Sequence, residues 1–368
     1  MEVFQEMAAM GHERVLFCSS PEVGLRAIIA VHSTVLGPGL GGVRMWPYAT
    51  IDEALTDVLR LSRSMTYKSA AAGLHLGGGK AVILGDPKQE KTEALLRAFG
   101  RYVESLGGLY ITAEDVGTDM EDMEQILTET RWVTGISPAQ GGGGDPSPVT
   151  ASGVLQGIKA AAAWKLESPD LAGRTVAIQG LGSVGFALAR YLREEGATVL
   201  ATDIDREAAA RARDELGVEI VAPAEILESE CDVLAPCAMG AVLNPRTIPR
   251  LRCRIVAGAA NNQLEHEERD GQALHDRGIL YAPDFVVNAG GLINVYSELT
   301  GYNRETALRM ARGLFQNTTR IFELSRALGI PTAAAAHRVA EDRIASIMAM
   351  RPRYWARKVR VMRGSPPA

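Results

Sequence analysis

The chain has 368 residues, 46% of them hydrophobic and 23% charged, with a net charge of −5 at pH 7. This fits a soluble globular protein of roughly two domains at ~150 residues each, long enough to bury a sizeable core. The acidic balance gives no electrostatic case for nucleic acid, and no apolar run approaches the ~18 residues of a membrane span.

The N-terminal MEVFQEMAAMGHERV mixes acids into its apolar residues and has no core of signal-peptide length. Cys18, Cys231, Cys237 and Cys253 lack CxxC spacing and sit in apolar, strand-like surroundings. They read as buried free thiols in a reducing cytosol, so a cytoplasmic location is expected. EHEERD lacks the second histidine of a zinc-binding HExxH helix, and no metal is expected.

Through the first ~150 residues, strand-like runs (GLRAIIAVHS, AVILGD, GLYITAED) alternate with helical ones (IDEALTDVLRLSRSMTYK, KTEALLRAFGRYVESLG), which predicts an α/β layer. Within it, YKSAAAGLHLGGGKAV sets Lys68 and Lys80 among alanines, leucines and three consecutive glycines. Lysine is rarely buried without a partner. A P-loop, GxxxxGK[ST], would need glycine at 74 and Ser or Thr at 81, where this chain has Leu74 and Ala81. Two such lysines can divide labour. One stays charged against a substrate carboxylate, while desolvation and its cationic neighbour push the other toward the neutral form, making it a base. Spacing alone equally permits two lysines that snorkel to solvent.

In GLYITAEDVGTDMEDMEQIL a strand is expected to end at ITA, with Thr118 and Glu121 forming a capping box for the next helix. Asp115 then falls in the loop at the carboxyl end of a strand, where α/β active sites gather. The glycines and prolines of GGGGDPSPVT, residues 141 to 150, suit a hinge or linker better than a strand or helix.

A helix, SGVLQGIKAAAAWK, opens a second α/β series running through TVAIQG, ATVLATD, CDVLAPCA, RIVAGAA and ILYAPDFVV, which predicts a mostly parallel sheet. TVAIQGLGSVGF places Gly180, Gly182 and Gly185 in GxGxxG spacing between a strand and an amphipathic helix, the context that makes this pattern specific for a dinucleotide. Ser183 and Val184 open that helix, where the phosphates are expected. Asp203 ends the next strand, suited to both ribose hydroxyls and hence to NAD over NADP, although Arg206 lies close by. Asp205 reads as a turn residue or helix cap. Asn261, Asn262 and Asn288 are expected at further strand ends, where amides suit a nicotinamide carboxamide or a substrate carboxylate and suit turn formation equally well.

Two long amphipathic patterns follow, RETALRMARGLFQNTTRIFELSRAL and TAAAAHRVAEDRIASIMAM. The expected division is residues 1–149, rejoined by 331–368, as a substrate and oligomerisation domain, and 150–330 as a Rossmann-type NAD domain. The basic tail RPRYWARKVRVMRG reads as a solvated or subunit-facing end.

Taken together, LGPGLGGVRMW, MTYKSAAAGLHLGGGKAVILGDP, YITAEDVGT, TGISPA, GDPSPVTA, APCAMGA, AGAANNQL and YAPDFVVNAGGLINV resemble the Glu/Leu/Phe/Val dehydrogenase family, most closely its leucine-acting members, from near residue 1 to about residue 350. The resemblance implies two α/β domains separated by a cleft, and NAD-dependent, reversible oxidative deamination of branched-chain L-amino acids (leucine, also valine and isoleucine) to 2-oxo acids and ammonia. It also implies a homo-oligomer, by analogy an octamer. By the same resemblance Lys68 pairs with the substrate carboxylate, Lys80 is the acid/base that activates water, and Asp115 handles protons of the amino group and the water. Asn262 helps fix the carboxylate or the nicotinamide. Leu40, Ala113, Leu292 and Val295 would line the side-chain pocket, and Gly41 and Thr150 fall in matching motifs on the substrate and cofactor sides. Glutamate-acting members carry lysine where this chain has Leu40, and Leu292 stands where the leucine-acting members usually have valine.

Overall fold

The computed structural model describes residues 2–350, so the basic tail lies outside the described residues. The chain divides into two compact units. One holds the residues up to Gly144, Val295–Asn303 and the described residues from Ala340; the other holds Asp145–Asn294 and Arg304–Val339. The first crossing therefore falls five residues before the expected boundary at 149, 295–303 belongs with the first unit rather than with the nucleotide half, and the return to the first unit comes at Ala340 rather than at 331.

The first unit is built on a six-stranded sheet: β1 (Arg14–Ser20), β2 (Leu25–Ser33), β3 (Gly39–Leu40), β4 (Val43–Trp46), β5 (Gly77–Leu84) and β6 (Tyr110–Ile111). β5 lies antiparallel to β2 and parallel to both β3 and β4. Among the unit's helices are α1 (Val3–Met10), α2 (Ile51–Ala71), α3 (Glu93–Ser105) and α4 (Met120–Leu127). α2 starts where the Thr50 hydroxyl accepts from the Glu53 amide, and its apolar stripe Leu55, Val58 and Leu59 packs on Ile28, Ala30 and Val82. The expected Thr118–Glu121 capping box is replaced by one between Asp119 and Asp122, one residue further on. The Thr118 hydroxyl instead donates to the Val43 carbonyl at 2.8 Å and tethers the Asp115 loop to β4.

The second unit opens with α5 (Ser147–Lys165), which begins inside the segment expected to be a linker. Proline is tolerated in a first helical turn because the N–H it lacks has no partner there in any case, so Pro148 starts the helix rather than preventing it. Around α5 run β7 (Thr175–Gln179), α6 (Ser183–Glu194), β8 (Thr198–Thr202), α7 (Arg206–Leu216), β9 (Glu219–Ile220), β10 (Val233–Pro236), β11 (Ile255–Val256), α8 (Glu267–Asp276) and β12 (Leu280–Tyr281). The strands are all parallel, in the order β12-β11-β10-β7-β8-β9. This is the doubly wound order whose direction reverses at the first strand, placing the crevice at the carboxyl end of β7. Val176, Ile178, Val199 and Ala235 pack on one face with Val154, Ile158 and Leu188, while Ala177, Leu234 and Val256 pack on the other with Leu274 and Tyr281.

Three expectations need correction here. DFVV is a helical turn, α9 (Asp284–Val287), not strand: Val287 packs into the notch left by Gly157 on α5, where a Cβ would stand 2.3 Å from it, so tertiary packing overrides β propensity. α10 (Gly290–Glu298) follows, and the long pattern after it breaks at Gly313 into α11 (Arg304–Arg312) and α12 (Leu314–Leu328) before α13 (Thr332–Ala349). Of the four thiols only Cys18 and Cys253 are buried; Cys231 and Cys237 are half-buried, and all four are free.

Candidate active site

In the first unit the glycines of β5 explain how a lysine comes to be buried. A Cβ on Gly78 would lie 2.2 Å from the Thr66 amide nitrogen, and one on Gly79 would lie 2.5 Å from the Tyr110 ring. Bare backbone at these positions lets α2 and β6 close onto the strand, and Lys80, two residues on, is 4% exposed. Gly41 and Gly42 do the same for the neighbouring turn: a Cβ on Gly42 would stand 2.9 Å from the Asp115 Cβ.

Lys80 Nζ donates to Asp115 Oδ2, and Arg44 Nε donates to Asp115 Oδ1 at 2.9 Å. Arg44 Nη1 also donates to Asp57 Oδ2 at 2.8 Å, and the Tyr48 hydroxyl donates to that oxygen at 2.6 Å. Burial lowers the Lys80 pKa from its ordinary 10.5 against the pull of Asp115, and Arg44 adds to the lowering. Burial alone would raise the Asp115 pKa; Lys80 and Arg44 override it and hold the carboxyl below its usual 3.8. Arg44 is a cationic neighbour of Lys80 that the sequence reading did not name, and Lys68 stands half-buried on the last turn of α2. Leu40 on β3 and Ala113 are buried in the same unit, and the Ala113 carbonyl accepts from the Val43 amide at 2.8 Å. Leu292 is buried and Val295 half-buried on α10, and the unit boundary falls between them.

In the second unit, Gly180 adopts φ +103°, a conformation open to glycine, and a Cβ on Gly185 would lie 2.0 Å from the Gly180 carbonyl oxygen, so α6 packs tightly on β7. Gly182 is different: a Cβ there would meet nothing within 4 Å. No side chain caps α6, leaving the amides of Ser183 and Val184 toward that open space. Asp203 Oδ2 accepts from the Leu181 amide at 2.6 Å and Oδ1 from the Asp205 amide at 2.8 Å, tying the carboxylate to the glycine turn. Asp203, Ile204, Arg206, Arg213, Val221 and Pro223 line a cavity of about 550 Å³. Asp205 caps α7.

Asn261 and Asn262 lie in the loop after β11, and Asn288 closes α9, so none of the three ends a strand directly. Asn288 Nδ2 donates to Asn261 Oδ1 at 2.7 Å, and buried Asn288 Oδ1 has no partner among the described residues. Asn262 has φ 50°, and its carbonyl accepts from Ala241, another residue at positive φ, at 2.7 Å. Strain of this kind gathers at ligand sites. The Thr150 hydroxyl donates to the Pro146 carbonyl at 3.0 Å. The uncapped helix, the vacant space over Gly182, the tethered Asp203 and the orphan Asn288 oxygen fit a dinucleotide.

Sequence reasoning missed Arg44, Asp57, Tyr48 and the loop Ala238–Ala241. A Cβ on Gly180 would stand 2.7 Å from the Ala238 Cβ, which puts that loop beside the nucleotide turn. The only sequence signal for Arg44 and Ala238 was membership in a resembling motif; Asp57 and Tyr48 had none.

Family models match the chain in three places: Glu/Leu/Phe/Val dehydrogenase, dimerisation domain, at residues 12–132; Glutamate/Leucine/Phenylalanine/Valine dehydrogenase at 202–351; and the NAD binding domain of D-isomer specific 2-hydroxyacid dehydrogenase at 155–247. A leucine dehydrogenase of Thermoactinomyces intermedius is 54% identical over 94% of each chain. A valine dehydrogenase of Streptomyces virginiae is 51% identical over 91% of this chain and 94% of its own. The crystal structure of L-tryptophan dehydrogenase from Nostoc punctiforme superposes with a TM-score of 0.86 at 45% identity, covering 94% of this chain and 99% of that one. With the lysine–aspartate pair and the dinucleotide turn in place, these matches make the chain a member of the Glu/Leu/Phe/Val dehydrogenase family and an NAD-dependent amino-acid dehydrogenase.

Proposed function

We propose that the enzyme oxidatively deaminates branched-chain L-amino acids, leucine with valine and isoleucine, to 2-oxo acids and ammonia, reversibly. The observation that carries the catalytic part is the buried Lys80–Asp115 pair. Lys68 receives the substrate α-carboxylate. Bound NAD supplies the hydride acceptor for Cα, the chemistry no side chain offers. Gly180, Gly182, Ser183, Val184, Gly185 and Asp203 hold its pyrophosphate and ribose, and Thr150, Asn261 and Asn288 its nicotinamide end.

Lys80, in its neutral form, takes the proton of a water as that water adds to the imino carbon. It returns the proton as ammonia leaves. Asp115 stays ionised and orients the amino group and the water. Asn262 assists in fixing the carboxylate. By the family resemblance Leu40, Gly41, Ala113, Leu292 and Val295 are the residues for the substrate side chain, and Leu40 offers no charge to a distal carboxylate. Leu292, larger than valine, shortens the site, although one methylene is worth only about 1–3 kcal/mol in discrimination.

Among the described residues no helix is long and apolar enough to cross a membrane, and with the free thiols this supports a cytoplasmic enzyme. The match to a dimerisation domain supports a homo-oligomer, which by analogy with the family is an octamer.

The test is NADH formation at alkaline pH with L-leucine, L-valine, L-isoleucine, L-phenylalanine, L-tryptophan and L-glutamate, repeated with NADP. Aliphatic substrates are expected in front, with NAD preferred. An aromatic substrate or glutamate in front overturns the side-chain assignment.

A further inference from the structure

If Lys80 works as a base, it must lose its charge during turnover. At that moment Asp115 would be a largely buried anion without its lysine counter-charge, and an unpaired buried charge is strongly disfavoured. The structure provides a second cation. Arg44 Nε bonds Asp115 Oδ1 at 2.9 Å, on the oxygen that Lys80 does not use.

Arg44 is itself anchored. Nη1 reaches Asp57 of α2 at 2.8 Å, and Tyr48 bonds the same Asp57 oxygen at 2.6 Å. A planar guanidinium can hold two carboxylates in fixed directions at once, which the point charge of an ammonium does far less well. Two cations and two carboxylates thus form one network across β4, α2, β5 and the Asp115 loop.

Resting on the proposed role of Lys80 and Asp115, we infer that Arg44 is a positioning residue: it keeps Asp115 ionised and Oδ2 aimed at the reacting centre while Lys80 passes through its neutral form. Asp57 and Tyr48 hold Arg44 in place for this task. Lys80 is faced by Asp115, Arg44 and Asp57, and Asp115 by Lys80, Arg44 and the buried phenol of Tyr110. Burial works against the Arg44 charge, but Asp115 and Asp57 more than offset it, so Arg44 remains a cation at any working pH.

Arg44 also lines a cavity of about 640 Å³ with Trp46, Tyr48, Asp57 and Arg60, which gives small cations access to it. The test is steady-state kinetics of full-length Arg44→Met and Arg44→Lys across pH, with the best substrate and NAD. In Arg44→Met, kcat is expected to fall about 100-fold with KM little changed, since misplacing a reacting group costs rate rather than binding. Arg44→Lys recovers only part of this. Without the Arg44 cation Lys80 keeps its proton to higher pH, so the acid limb of the kcat profile moves to higher pH. Added guanidinium, entering through the cavity, restores part of the rate to an Arg44→Ala variant.

A kcat and pH profile matching the parent in Arg44→Met overturns the inference. If that variant fails to fold, Asp57→Asn leaves the Arg44–Asp115 bond but removes the anchor of the guanidinium, and is expected to lose about 10-fold in kcat; because Asp57 itself raises the Lys80 pKa, the acid limb moves the other way, to lower pH, and an unchanged kcat there overturns the inference equally. Asp115→Asn separates the two levels. Full turnover in Asp115→Asn removes the underlying role of Asp115, whereas an inactive Asp115→Asn beside a normal Arg44→Met removes the role of Arg44 alone.

Discussion

Two glycine-rich stretches, GGGK on β5 and GLGSVG between β7 and α6, look alike on paper and use glycine for opposite ends. On β5 the missing side chains make room for protein: Thr66, Ser62 and Tyr110 stand within 2.2 to 2.5 Å of where a Cβ on Gly78 or Gly79 would be. At Gly182 the missing side chain leaves room for something else, because beyond its immediate chain neighbours no described residue comes within 4 Å of where a Cβ would stand. The first stretch buries a reactive side chain among close-packed neighbours; the second offers backbone amides to a phosphate. A glycine run is therefore read by what would fill it, which the sequence does not state.

The comparison breaks first at its largest effect. Gly78→Ala forces a methyl group onto the backbone of α2 and is expected to cost at least about 3 kcal/mol, the upper part of the range for overpacking, as measured by urea unfolding. Unchanged stability would mean that α2 is not seated on β5 as described. A smaller effect is expected at Gly182. Gly182→Ala should alter unfolding by less than about 0.5 kcal/mol, yet weaken NAD binding in a titration about 10-fold, or about 1.4 kcal/mol. Loss of stability with intact NAD affinity would reverse the contrast.

How much of this was legible depends on how local each feature is. The dinucleotide turn has its strand, its three glycines, its helix and its acid within one continuous stretch, from Thr175 to Asp203, and the sequence carried all of it. The catalytic pair is spread over β5 and the loop after β6. Lys80 and Asp115 drew attention singly, as an odd charge and a strand-end acid, but no spacing rule brings residues 44, 57, 80 and 115 together. Only the sheet order does, with β4 beside β5 and the Asp115 loop bonded to β4.

Arg44 is a neighbour of Lys80 that no distance along the chain states; the sheet brings it there. The helical turn Asp284–Val287 and the early start of α5 were misread for a related reason. Valines and prolines state local preferences, and packing against Gly157 and position in the first turn decided otherwise.

The central claim is that β5 buries Lys80 in order to supply a base. Its most direct test is the turnover of Lys80→Ala with a branched-chain amino acid and NAD, alongside NADH binding and a check of folding. In the parent enzyme, deamination should rise with pH through a group titrating below the ordinary lysine value of 10.5. In the variant, turnover should fall about 100- to 10,000-fold and that limb should vanish, with NADH affinity unchanged. A folded Lys80→Ala that binds NADH normally and keeps most of its turnover would contradict the account.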